Sequence, residues 1–126
     1  SPRGYIEVRH LGHHVRQMVQ DALNAFARFD TTQALSVLRE DENVDLEYRS
    51  ATRALITFMM EDPRAISQVM NIMWALRSLE RVGDHASNLA ESVIYLVEGQ
   101  DVRYADLEQI EAALARRKGK EQLAAE

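Results

Sequence analysis

The chain is expected to be all-α, an up-down-up antiparallel three-helix bundle, and three observations lead there. Long segments repeat apolar residues at the 3.6-residue period of a helix. The connections between them are short, which sets consecutive helices antiparallel. Five glycines and two prolines in 126 residues leave few places where a helix could break. An apolar share of 46% beside 28% charged residues suits one globular domain, long enough to bury a core without staples.

The first helix is placed at about 5–29, where Leu11, Val15, Met18, Val19, Ala22, Phe26 and Phe29 form one stripe. Asp30-Thr31-Thr32 supplies a break and a cap. The second helix follows at about 32–61, with Leu35, Leu38, Tyr48, Thr52, Leu55 and Met59 on its apolar side. Asp62-Pro63 marks the next corner: aspartate caps a helix well, and proline suits the first helical position, where no N–H is needed. The third helix runs from Pro63 to about 98 through Ile66, Val69, Met73, Leu76, Leu79, Ala90, Ile94 and Val97, with Gly99 just past its end as a left-handed cap. A helix of that length is about 50 Å long, so the bundle is a rod, a shape expected to pair into a homodimer. Beyond Gly99 we expect an irregular piece and a weak helix from Asp106 to Arg117. Residues 1–104 are therefore taken as the bundle and 105–126 as a tail, partly helical or disordered.

Composition narrows the function classes. Without cysteine, disulfides and thiolate metal sites are excluded, so a metal would need oxygen or histidine ligands. The most apolar stretch, around Ala54 to Met60, is far shorter than a membrane span, and the start has no signal-peptide pattern. A cytoplasmic chain without direct membrane insertion is expected. A net charge of −5 argues against nucleic acid as a partner, and the basic run Arg116-Arg117-Lys118-Gly119-Lys120 is expected to be solvated and mobile. The chain opens Ser1-Pro2 without methionine, as a fragment or a processed chain would. Five scattered glycines cannot build a phosphate-cradling loop, a dinucleotide fingerprint or a nucleophile elbow.

Two acidic pairs stand out. Asp41 and Asp45 lie four residues apart in the second helix, and Glu80 and Asp84 four apart in the third, so each pair projects from one helical face. Counted from Asp62, Asp45 is 17 residues back and Glu80 18 forward, while Asp41 is 21 back and Asp84 22 forward. On antiparallel helices the pairs meet at nearly the same height. Each falls in the arc of its helix's apolar residues, and Glu91 continues the row. Gly83, between the acids of the second pair, costs about 1 kcal/mol of helix propensity and points to a close helix approach. Four carboxylates on one seam need protons, basic partners or hard cations, and oxygen-rich ligation suits divalent ions or iron. The alternative is a solvated acidic face balanced by Arg49, Arg53, Arg77 and Arg81.

The histidines are assigned surface roles. His14, at the edge of its apolar arc, could lean toward the acidic seam, and His85 points away from Asp84. A di-iron oxidase would need Glu-x-x-His on two helices, and only Glu7-Val8-Arg9-His10 matches.

The segment Leu79-Glu80-Arg81-Val82-Gly83-Asp84-His85-Ala86, with Asn88-Leu89-Ala90-Glu91, resembles the PhoU family of phosphate-transport accessory and regulatory proteins. The likeness extends through Glu40–Tyr48, Met59–Arg64, Val97–Arg103 and Leu23–Asp30, covering about positions 5 to 104. It implies a fold of repeated three-helix bundles and metal on Glu/Asp-x-x-x-Asp motifs, which fall here on Asp41, Asp45, Glu80 and Asp84. Magnesium, manganese, zinc or iron are the expected cations. It further implies a non-enzymatic negative regulator of phosphate uptake and of the phosphate-starvation response, linking the ATPase subunit of the phosphate ABC transporter to a sensor histidine kinase. Family members usually carry two bundles; one is seen here, closer to the second. The competing expectations are a purely structural helical interaction module without metal and, more remotely, the di-iron carboxylate oxidase.

Overall fold

The computed structural model describes residues 2–99 and 106–125, all helical apart from short turns. Helix α1 spans Pro2–Arg28, α2 Thr31–Glu61, α3 Ile66–Glu98 and α4 Leu107–Ala125. The first three pack against one another in the expected antiparallel bundle.

The corners are built by local chemistry. At the end of α1, Asp30 N–H donates to the Ala25 carbonyl at 2.9 Å and Phe29 N–H to Phe26 at 3.4 Å, the two bonds of a Schellman ending. The residue between them is Phe29, at φ 51°, a left-handed conformation that costs a non-glycine residue about 1–2 kcal/mol. Asp30 then caps α2 by accepting from Gln33 N–H at 3.0 Å. At the second corner Asp62 closes α2 and accepts from Arg64 N–H at 3.2 Å, while Pro63 opens a single 3₁₀ turn, Pro63–Ala65. Helix α3 thus starts at Ile66 rather than at Pro63. Gly99 ends it at φ 71°, as the glycine predicted.

The core runs along the shared axis through Leu11, Val15 and Met18 of α1, Val37, Val44 and Leu55 of α2, and Val69, Leu76, Val93 and Ile94 of α3. Each helix meets two neighbours, so its buried arc is wider than a single stripe. That is why Val37, Val44, Ile72 and Val93 are buried although the sequence stripes omit them. Fully burying a side chain such as Leu76 contributes about 1.5–3 kcal/mol. Three expected core residues are corrected. Phe26, Phe29 and Ile66 are substantially exposed. Phe29 lies past the last turn of α1, where its left-handed backbone swings the ring outward beside that of Phe26, 6.5 Å away. Ala22, Ala25 and Ala34 fill that end of the core instead. Ile66 sits at the first turn of α3, before the helix meets its neighbours on both sides.

The C-terminal segment is more ordered than its composition predicts. Asp106 and Gln109 form a reciprocal capping box, with Gln109 N–H donating to Asp106 at 2.8 Å and Asp106 N–H to Gln109 at 3.3 Å. Ile110 and Leu114 of α4 are buried against the core. Within the basic run, expected to be mobile, Arg117 donates to Glu98 at 2.5 Å and Lys118 to Thr32 at 2.7 Å, with Arg39 donating to Glu111 at 2.8 Å nearby. These contacts tie α4 to both α2 and the end of α3. The irregular piece expected after Gly99 and the division between 104 and 105 lie outside the described residues.

Candidate metal centre

The two acidic pairs come together between α2 and α3. One carboxylate oxygen from each of Asp41, Asp45 and Asp84 lies within 4.8 Å of the other two. Glu80 is not among these converging oxygens, but it is close enough to feel the charges of Asp84 and Asp45. Beneath the acids the floor is apolar. A Cβ built on Gly83 would lie 3.7 Å from Val15 Cγ2, 3.8 Å from Val44 Cγ1 and 3.9 Å from Asp41 Oδ1. Those are ordinary contact distances, so the close approach expected at Gly83 is corrected: a methyl group would fit there.

This floor sets the electrostatics. Burial pushes the Asp41 carboxyl up to about 6, and the charges of Asp45, Asp84 and Glu80 add to the shift. Asp45 is raised by burial and by Asp84, against the pull of Arg49. Glu80 is raised by burial, by Asp84 and Asp45, and by a hydrogen bond with Asp84 that suits its protonated form, against Arg77. Asp41 Oδ1 is buried and accepts no hydrogen bond, and the Ser87 hydroxyl oxygen is buried and unpartnered as well. Ser87 faces Asp41 and favours its charged form, yet outside good hydrogen-bond geometry. Among the described residues Arg49, Arg53, Arg77 and Arg81 form no direct ion pair with the motif acids. A buried carboxylate oxygen without a donor is costly by about 1–3 kcal/mol. The donor set, all oxygen and partly desolvated, has the chemistry of a hard-cation site.

Ser87 was missed in the sequence, although a signal was present. Gly83, Ser87, Ala90 and Ile94 repeat at helical spacing along one buried face, which makes the serine the polar member of a core stripe. His14 does not lean into the seam. Its Nδ1 donates to Glu47 at 2.8 Å and its Nε2 lies 3.4 Å from Glu40, on the α1 side of α2. His85 is exposed.

An all-helical bundle with a carboxylate seam between its second and third helices defines the class of protein. The particular family follows from comparison: the PhoU domain matches residues 8–93, and the chain belongs to the PhoU family. It is 61% identical over 119 residues to the phosphate-specific transport system accessory protein PhoU homolog of Pseudomonas aeruginosa, covering 94% of this chain and 49% of that protein. With the phosphate-specific transport system accessory protein PhoU of Escherichia coli K12 it shares 42% identity over 110 residues, covering 87% of this chain and 46% of that protein. The crystal structure of PhoU from Pseudomonas aeruginosa superposes with a TM-score of 0.77 at 68% identity, over 79% of this chain and 48% of that one. The chain spans about half the length of the relatives it matches. Among the described residues, no helix is long and apolar enough to cross a membrane.

Proposed function

We propose that this bundle is the metal-binding part of a phosphate-transport accessory protein that restrains phosphate uptake and the phosphate-starvation response. In this reading it is a cytoplasmic, non-enzymatic and homodimeric adaptor between the transporter's ATPase subunit and a sensor histidine kinase. The three-helix bundle of α1 to α3 is the working rod. The observation that carries the reading is the seam itself: three converging carboxylates from two helices, over an apolar floor, with one buried oxygen lacking a donor, in a chain of this family.

Asp41, Asp45 and Asp84 would hold a divalent cation or iron, with Glu80 at the rim. When bound, the ion supplies positive charge that offsets the carboxylate repulsion. The acids bind α2 to α3 only when that repulsion is relieved, so the stability of the bundle and the shape of its α2–α3 face depend on cation supply. Elemental analysis of protein purified without chelator, followed by melting with and without EDTA, tests the metal half: metal-bearing protein that melts higher supports it, and metal-free protein with the same melting point removes it. Pull-down of the transporter ATPase and the kinase with the 126-residue chain tests the adaptor half.

A further inference from the structure

On the opposite flank of α2 lies a second group of metal-ligating side chains, of different chemistry. His10 and His14 are four residues apart on α1, so both imidazoles project from one face, with ring centroids 5.9 Å apart. They converge on a single carboxylate from α2. His14 Nδ1 bonds Glu47 Oε2 at 2.8 Å, and His10 Nδ1 makes a short contact with Glu47 Oε1. Glu40 Oε2 lies 3.4 Å from His14 Nε2, on the far side of that ring. Glu7, one turn before His10, lines with Glu47 a cleft of about 210 Å³ between α1 and α2, and its Oε2 is buried without a hydrogen-bond partner.

We propose that His10, His14 and Glu47 form a binding site for a borderline transition-metal ion, zinc above all, separate from the acidic seam. Two imidazoles and a carboxylate are the three-ligand set of zinc sites that keep one position open, and two histidines one helical turn apart are a recurrent way of supplying the pair. Magnesium and calcium, which take oxygen ligands, belong to the seam instead. Glu7 lines the same cleft as Glu47 and has one oxygen without a hydrogen-bond partner, which makes it the nearest further donor for the position that three ligands leave open. Glu40 stands where a carboxylate orients a ligating histidine through its other ring nitrogen, an arrangement whose loss commonly weakens metal affinity 10–100-fold. Charge favours a cation too. Glu7, Glu40 and Glu47 bring three negative charges against two histidines, a deficit remaining even with both rings protonated.

Each imidazole takes its own oxygen of Glu47, so the donors flank the carboxylate, and binding a shared ion requires a ring to turn. His10 is largely solvent-exposed, which leaves its ring free to rotate onto a shared ion. The site does not rest on the seam, so the test is made with the seam disabled. The 126-residue chain carrying Asp41→Asn and Asp84→Asn is titrated with zinc chloride by calorimetry and with cobalt(II) by visible absorption, using melting curves to confirm folding. The expected result is one equivalent of zinc, no competition from tenfold more magnesium, a cobalt band typical of nitrogen and oxygen ligation, and at least a tenfold loss of affinity in both His10→Ala and His14→Ala. A shift of the His10 and His14 imidazole resonances on adding zinc gives a second readout. Zinc affinity unchanged by both histidine substitutions, or no uptake at 1 mM zinc by the folded protein, would overturn the site and leave the histidines as proton-held partners of Glu47.

Discussion

Helix α2 carries charged residues on two flanks that follow opposite electrostatic rules. Toward α3, Asp41 and Asp45 meet more acids, and the burial that raises Asp41 to about 6 finds little to offset it. Toward α1, Glu47 meets two histidines. Burial alone would raise its carboxyl, but the hydrogen bonds and charges of His10 and His14 outweigh that and hold it below the usual range, while Glu47 raises His10 in turn. Both flanks are built on the same helix, but Asp41 lies deeper than Glu47, and the groups standing opposite differ in sign. On the α1 flank opposite charges face and offset one another, whereas on the α3 flank like charges face one another.

The sharpest test of this contrast removes the seam's donors. Replacing Asp41 and Asp84 by asparagine should weaken manganese or magnesium binding about a hundredfold or more, because a hard cation loses two anionic ligands at once. Calorimetry with each ion checks it, and equal affinity would break the distinction between the flanks.

The next effect concerns the metal-free protein. Asp41 has a folded-state pKa above its ordinary 3.8, so its stabilising contribution is complete below that value and lost as pH rises through about 6. A two-unit shift corresponds to about 3 kcal/mol, which solvent screening of a half-buried group reduces to about 1–2 kcal/mol. Asp41→Asn should therefore stabilise chelator-treated protein by about that amount at pH 7.5 and by nothing near pH 4. Urea unfolding at the two pH values reads the difference. Asp45 and Glu80 are raised in the same direction and reinforce the trend.

Glu47→Gln should act in the opposite sense. Glu47, lowered in the folded state, contributes stability above its ordinary 4.5 that is lost on acidification, and His10, raised, contributes stability below 6.5 that is lost as pH rises through its folded value. The substitution should cost most around pH 5–6 and less on either side. A melting profile across pH 4–8 would expose the bell. The smallest effect isolates shape from charge. Gly83→Ala adds a methyl where space exists beside Asp41, and the gain in helix propensity should stabilise the protein by about 0.5 kcal/mol without changing metal content.

Much of this was legible in the chain. The periodicity of α1 to α3, the caps at Asp30 and Asp62, the glycine ending at Gly99 and the matched heights of the acidic pairs all follow from local rules and a count of residues. The errors are instructive because they arise where local rules compete with neighbours. Phe29 reads as a core residue by period, but the chain uses it to leave the helix. The basic run reads as solvated and is largely exposed, yet Arg117 and Lys118 still find Glu98 and Thr32 once α4 docks, which no local rule foretells.

Helix identity, corner chemistry and the level alignment of the acids were determined by sequence alone, because rise per residue and capping depend on nearby atoms only. Which side chains oppose each other across a helix pair was decided by the tertiary structure. Small rotations of packed helices bring Asp84 rather than Glu80 to Asp41 and Asp45, leave one Asp41 oxygen without a donor, and set His10 and His14 against Glu47. No spacing rule fixes such rotations, since they come from how the apolar residues of three helices fill their common core.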